Sequence, residues 1–314
     1  MIRKLLSVLL ILLMLPGFAL CEPAQKLVSC YYISTASLLA LGCKDRLAGI
    51  EKKADTRPLY RLCAPELLDL PAVGSGKEVN MEQVLALDPD LVILPMKLKE
   101  EAERLNALGL RTLTVEPESE EDLRACILQL GEETGTREAA AALIARYTSM
   151  MDALAEELAG AELVRAYFAA ESDLYTTYPA GMYQHDQLAR AGGENVAGEM
   201  EGSAKVHIDP EQLLVWDPEV IILVSGAGYT AEDVLMDPQL AGLRAVQKKR
   251  VYAMPNGVES WDYPTPSSVL GAYWIASLLH PDLVTETETA DTAIAFYHEV
   301  YGFTPTMKDL GLER

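Results

Sequence analysis

One fifteen-residue pattern occurs twice in this chain and limits its fold more than any other feature. Asn80-Met81-Glu82-Gln83-Val84-Leu85-Ala86-Leu87-Asp88-Pro89-Asp90-Leu91-Val92-Ile93-Leu94 aligns with Asp209-Pro210-Glu211-Gln212-Leu213-Leu214-Val215-Trp216-Asp217-Pro218-Glu219-Val220-Ile221-Ile222-Leu223, and about half of the positions are identical. Each copy reads as a capped helix, an Asp-Pro turn and a strand. Proline stops the helix because it lacks an N–H and clashes with the turn before it. The unbroken aliphatic run that follows suits a strand covered on both faces. Two such units, well separated along the chain, predict two lobes of similar build.

The rest of the chain supports that reading. Leu27–Cys30, Leu47–Ile50, Leu91–Leu94 and Thr112–Val115 are strand-like runs separated by helical stretches. Val164–Ala169, Val220–Val224 and Arg250–Met254 repeat the pattern in the second half. Such alternation predicts an α/β protein with parallel sheets. Ser34–Leu41 reads as the first helix, with Ser34 or Thr35 as its cap and Gly42 at its end. Between the halves, Ala140, Leu143, Ile144, Tyr147, Met151, Leu154 and Leu158 recur at helical spacing within Arg137–Gly160. A helix of that span is about 35 Å long. The expected fold is two Rossmann-like lobes with parallel sheets, bridged by this single long helix and free to open and close only slightly. The expected boundaries are 1–21 for a signal peptide, 26–118 for the first lobe and 119–160 for the bridging segment. Residues 161–280 would form the second lobe and 281–314 a helical tail.

The amino terminus reads as an export signal. Arg3 and Lys4 precede an apolar run from Leu5 to Leu15, which Pro16-Gly17 breaks before Ala19-Leu20-Cys21. The run is too short to span a bilayer comfortably. Cleavage near Cys21 is expected, or a lipid anchor on that cysteine, which would leave the chain periplasmic or on the outer face of the cytoplasmic membrane. Export would place Cys30, Cys43, Cys63 and Cys126 in an oxidising space, where four cysteines allow three full pairings. The formal net charge is -21, so nucleic acid is excluded as a partner, because phosphate binding needs clustered Lys and Arg. The four histidines are too few and too scattered for a bare-metal receptor. No Gly-x-Ser-x-Gly, His-Glu-x-x-His or phosphate-binding glycine loop occurs, so no enzyme and no cofactor are expected.

Several segments then carry a family resemblance. They are Leu27-Val28-Ser29-Cys30 with Ser34–Gly42, Val73-Gly74-Ser75 leading into Asn80-Met81-Glu82, Ala191-Gly192-Gly193-Glu194-Asn195-Val196-Ala197, and Ala245–Tyr252. In this order and spacing they resemble the substrate-binding proteins of ABC importers for iron-siderophores, haem and cobalamin. Ser260-Trp261-Asp262-Tyr263-Pro264 and Phe296-Tyr297 with Tyr301-Gly302 are most similar to members for iron chelates, haem or molybdate. One departure is Cys30-Tyr31-Tyr32, which stands where the family often has a Pro-containing turn.

The resemblance implies capture of a metal chelate between the lobes and delivery to a permease dimer with its ATPase. A molybdate or tungstate oxyanion is the alternative ligand, and an exported hydrolase or a sensor module are alternatives of other classes. In such folds ligands sit at the carboxyl ends of the strands. That rule selects Tyr31, Tyr32, Arg57, Ser75, Lys97, Tyr178, Tyr183 and Trp261 as ligand-binding candidates, with Ser34, Tyr60, Lys77, Tyr175, His185 and Tyr263 beside them. Tyr and Trp can stack on a flat chelate, and Arg57 or Lys97 can neutralise an anionic one. The resemblance further implies that Glu82 and Glu211, one per lobe, dock on arginines of the two permease subunits.

Overall fold

A computed structural model describes residues 22–200, 202 and 204–313. The export segment and Cys21 lie outside the described residues. The first lobe contains β1 (Leu27–Ser29), β2 (Leu47–Glu51), β3 (Ala72–Ser75), β4 (Glu78–Val79), β5 (Leu91–Pro95) and β6 (Thr112–Val115). Its helices are α1 (Tyr32–Ala40), α2 (Pro58–Cys63), α3 (Met81–Leu87) and α4 (Lys99–Ala107). The sheet order is β4-β3-β2-β1-β5-β6, parallel except for the antiparallel edge strand β4. The order reverses between β1 and β5, which makes their carboxyl ends the switch point where ligands bind in doubly wound sheets.

Two helices follow, α5 (Glu120–Thr134) and α6 (Arg137–Glu157). They form a packed hairpin, since the Gly135 αL turn between them reverses the chain. Helix α5 also packs on α1 of the first lobe, whereas α6 packs on helices of the second. At 21 residues α6 is about 31 Å long.

The second lobe holds β7 (Val164–Ala169), β8 (Thr176–Thr177), β9 (Gly193–Asn195), β10 (Val206–His207), β11 (Val220–Leu223) and β12 (Val251–Ala253). Its helices are α7 (Tyr183–Arg190), α8 (Pro210–Trp216), α9 (Ala231–Met236) and α10 (Arg244–Gln247). The sheet order is β10-β8-β7-β11-β12, with β9 also on β7. Here the expectation of a parallel sheet needs correction. Strands β7, β9, β11 and β12 are parallel, but β8 runs antiparallel to both β7 and β10. The reason is local, because Ala169 and Thr177 are joined by a short connection that turns the chain straight back. The chain ends in α11 (Val269–Leu279), α12 (Glu286–Tyr301) and α13 (Met307–Leu310).

The two copies of the repeat fold alike. Each is a seven-residue helix, α3 or α8, followed by a central strand, β5 or β11. Asp88 (φ 45°, ψ 63°) and Asp217 (φ 43°, ψ 63°) end the helices in the same left-handed conformation, one that Asp tolerates better than most side chains. Helix α1 begins two residues earlier than the sequence predicts. Its N-cap is Tyr31, and Ser34 and Thr35 are buried inside it. The Thr35 hydroxyl is directed to Glu51 instead (2.7 Å).

The lobes share one hydrophobic cluster. It runs from Leu27, Ile33 and Tyr60 of the first through Tyr147 of α6 to Ile222, Trp274 and Tyr297 of the second. Helix α11 is buried along its whole length, and α12 reaches back to α1. The joint is therefore a packed core, with α6 as only one of its parts. No disulfide forms among the described residues: Cys30, Cys43, Cys63 and Cys126 are free thiols, and all but the half-buried Cys63 are buried. Burial pushes the Cys30, Cys63 and Cys126 thiols up to about 12, which keeps them protonated and unreactive. Among the described residues no helix is long and apolar enough to cross a membrane.

Candidate functional site

The carboxyl ends of the strands in both lobes carry polar and aromatic side chains that converge on one cleft. Tyr31 follows β1, Ser75 ends β3, Lys97 follows β5, and Glu116 and Glu118 follow β6. In the second lobe Glu171 follows β7, Tyr178 follows β8, Tyr229 follows β11 and Tyr263 lies in the loop after β12. A Cβ added to Gly76 would lie 3.7 Å from Lys97 Nζ and 3.8 Å from the Tyr31 ring, so Tyr31 and Lys97 stand together on one wall. Opposite them, Tyr178 donates to Glu171 (3.3 Å), Lys205 pairs with Glu171, and Lys205 Nζ lies 5.6 Å from the Tyr178 ring centre.

The fields of these groups cross between the lobes. Burial raises the Glu118 carboxyl, neighbouring Glu116 adds to that, and Lys97 of the first lobe and Lys205 of the second both pull it down. The Tyr31 phenol is raised by burial, then by Glu118, with Tyr263 from the other lobe contributing. Burial is also the main cause that raises Tyr178, Tyr229 and Tyr263, and the nearby Glu171 adds to each. All four phenols therefore stay protonated at neutral pH and act as hydrogen-bond donors, not as phenolate ligands to a metal. Lys97 and Lys205 at the cleft and Arg57 on its floor are set against Glu116, Glu118 and Glu171, and Arg57 also faces the buried Glu51 and Glu259. Among the described residues no group of three or more His, Cys, Asp or Glu side chains is placed to hold a metal ion.

The ligand candidates separate into two groups. Tyr31, Arg57 and Ser75 are half-buried and Lys97 is exposed, all at the cleft, and the buried Tyr178 presents its hydroxyl end there beside Glu171. Arg57 lies with its guanidinium 4.0 Å from the Tyr32 ring centre, and its buried Nε has no hydrogen-bond partner. Tyr32, Tyr183 and Trp261 require correction, since they are core residues. The Tyr32 hydroxyl donates to the buried Glu259 (2.8 Å). Tyr183 opens α7 and faces α6, where its hydroxyl bonds to Tyr147 (3.1 Å) and Ser268 (2.6 Å). Trp261 is 1 % exposed and donates its indole N–H to Tyr297 (2.9 Å). Two residues further on, Tyr263 is 40 % exposed and is the side chain of this loop that reaches the cleft. Glu118, Glu171 and Lys205 belong to the site but carry no sequence signal, since acidic residues are abundant along the chain and none of the three lies in a motif.

The loop that presents Tyr263 is held from below. Asp262 is fully buried and accepts from Ser225 N–H (3.0 Å) and Ser225 Oγ–H (2.5 Å) at the end of β11. Burial pushes its carboxyl up to about 6. The side-chain amide of Gln187 donates to Trp261 O (2.7 Å) and Ser268 O (2.8 Å), and that of Gln184 to Asp262 O (2.9 Å). Gly271 leaves the room this needs, because a Cβ there would collide with the Gln187 amide and Trp261 O.

Glu82 and Glu211 lie in the first turns of α3 and α8, both exposed and both at the same place in the repeat.

Comparison with known proteins fits this geometry. The family model described as periplasmic binding protein matches residues 27–258. The molybdate-binding protein MolA of Haemophilus influenzae is 28 % identical over 268 residues, covering 77 % of this chain and 75 % of that protein. The vitamin B12-binding protein of Vibrio cholerae is 22 % identical over 254 residues, covering 79 % and 86 %. The crystal structure of a periplasmic solute binding protein from Veillonella parvula superposes with a TM-score of 0.79 at 24 % identity, covering 93 % and 92 % of the two chains. This two-sheet chain belongs to the periplasmic binding protein family, whose members serve ABC importers as solute-binding subunits, and it is not an enzyme.

Proposed function

We propose that this protein captures a metal chelate in the cleft between its lobes and hands it to an ABC permease. The observation that carries the reading is the mixture of cations and carboxylates in a tyrosine-rich cleft. A small oxyanion is best held by donors without competing carboxylates, since each carboxylate near it adds repulsion. Here Glu116, Glu118 and Glu171 accompany Arg57, Lys97 and Lys205. A large polar ligand of low net charge, with both donors and acceptors on its rim, suits that mixture, and the rings of Tyr31, Tyr229 and Tyr263 offer it flat apolar surface. The vitamin B12-binding relative carries a ligand of this kind in its name.

Molybdate is the second reading, favoured by the similarity to MolA. It would place the oxyanion between Lys97, Lys205 and the phenol hydroxyls, with Glu171 held off by its ion pair to Lys205. Native mass spectrometry of protein purified from its own host separates the two. A co-purified mass of several hundred daltons with a metal isotope pattern supports the chelate, and a molybdenum oxyanion alone supports the second reading.

Delivery belongs to the same proposal. Glu82 and Glu211 supply one carboxylate per lobe at equivalent places, which suits a two-fold permease with a basic residue in each subunit. Export fits the basic and apolar amino-terminal run, and the intact mass of the exported protein tests cleavage near Cys21 and lipid attachment to it.

A further inference from the structure

A run of buried polar and aromatic contacts crosses from one lobe to the other beneath the cleft. It begins at Glu51, the last residue of β2, which accepts from Thr35 Oγ (2.7 Å) and from the Tyr60 hydroxyl (2.6 Å). The Tyr60 ring packs against the Tyr32 ring with centroids 6.2 Å apart, and the Arg57 guanidinium covers Tyr32. The Tyr32 hydroxyl then crosses to Glu259 (2.8 Å), in the loop after β12, and Glu259 also accepts from Ser267 (2.6 Å) within its own lobe. Beside this crossing, the Leu59 backbone N–H donates to Val258 O (3.2 Å), a second bond between the lobes.

We infer that Glu259 is a positioning residue that sets the aperture of the cleft by tying its loop to Tyr32 of the first lobe. Glu51 and Glu259 are 4 % and 3 % exposed, and a carboxylate buried to that degree without partners costs far more than a hydrogen bond returns. Opening the lobes here would strip Glu259 of the Tyr32 hydroxyl, so this arrangement of the lobes is favoured. Both walls of the cleft depend on this tie. Tyr31 is the neighbour of Tyr32, and Tyr263 is four residues from Glu259 in the same loop. The shared core gives the joint its strength, and the Tyr32–Glu259 pair gives it one geometry, because a hydrogen bond has direction where apolar packing does not.

The test is native-state hydrogen exchange at the Leu59 amide, which reports the lobe-to-lobe contact itself. Tyr32→Phe removes only the hydroxyl and keeps the ring beneath Arg57. Ser267→Ala removes a bond of similar length to the same carboxylate but within one lobe. Tyr32→Phe is expected to speed Leu59 exchange about tenfold, the ratio for losing one buried hydrogen bond to a carboxylate. The strand amides of Ile93 and Ile222 are expected to keep their wild-type rates in the same sample, and Ser267→Ala is expected to leave Leu59 near wild type. Unchanged Leu59 exchange in Tyr32→Phe would overturn the inference. So would equal acceleration at Leu59, Ile93 and Ile222, which would mark the hydroxyl as a general stabiliser of the fold. Equal acceleration of Leu59 by the two variants would overturn it as well, because the crossing would then have no special part.

Discussion

Trp261 and Tyr263 lie two residues apart in one loop and have opposite parts. Trp261→Ala should empty a core site and cost about 3–5 kcal/mol of stability, read as a fall in the urea midpoint. Tyr263→Ala should leave that midpoint near wild type and weaken ligand binding several-fold, the effect of losing one aromatic contact of about 1 kcal/mol. Equal destabilisation by both variants would contradict the assignment. Between them, Asp262 gives a pH signature. Its carboxyl is raised by burial to about 6 in the folded protein, against about 3.9 in an unfolded chain. The folded state holds the proton more tightly, so this group costs nothing below about pH 4. Its ionisation costs stability as pH rises towards 6, up to about 3 kcal/mol once the window is passed. Asp262→Asn removes the titration. The stability of wild type relative to this variant should therefore fall between pH 4 and pH 7, and a pH-independent difference would count against a buried titrating carboxyl. The sequence places an aromatic-rich loop at the strand ends, and so narrows the site to the right neighbourhood. It does not show which ring points inwards, because that is decided by Tyr297, thirty-six residues away.

At the scale of elements, the duplicated helix–turn–strand unit was the most legible part of the chain. Its period, its proline and its aliphatic run each act locally, so no distant contact is needed to read them. The left-handed aspartates are the common feature that sequence alone did not expose. Asp88 is exposed, whereas Asp217 also accepts from the Arg244 N–H (2.8 Å) and pairs with its Nε (2.8 Å). Asp88→Ala should cost about 1 kcal/mol, the strain of an ordinary side chain in that conformation. Asp217→Ala should cost more, since the bonds to Arg244 are lost as well. Equal losses in chemical denaturation would mean that the Arg244 contacts contribute nothing. The antiparallel β8 and β10 were not legible, being two residues each and lacking a hydrophobic run of their own. Helix α6 was legible from its 3.6-residue period, but its packing against α7 and α11 was not.

At the scale of the molecule, two lobes of similar build flank one cleft, and each carries an exposed glutamate at the start of its repeat helix. Glu82→Arg together with Glu211→Arg should abolish uptake by the cognate importer in proteoliposomes and leave ligand affinity unchanged. Retained uptake would remove the docking role, and lost affinity would make the glutamates structural. Two lobes were expected from the repeat, and their shared core was not, because it is assembled from α1, α6, α11 and α12, which are distant in sequence. The ligand is the central claim, and titration calorimetry addresses it most directly. Purified protein would be titrated in parallel with cobalamin, haemin, a ferric siderophore and sodium molybdate. The mixed-charge, tyrosine-lined cleft predicts micromolar or tighter binding of at least one of the chelates, weakened several-fold by Tyr263→Ala, and no comparable heat from molybdate. Tight binding of molybdate with no response to any chelate would contradict it.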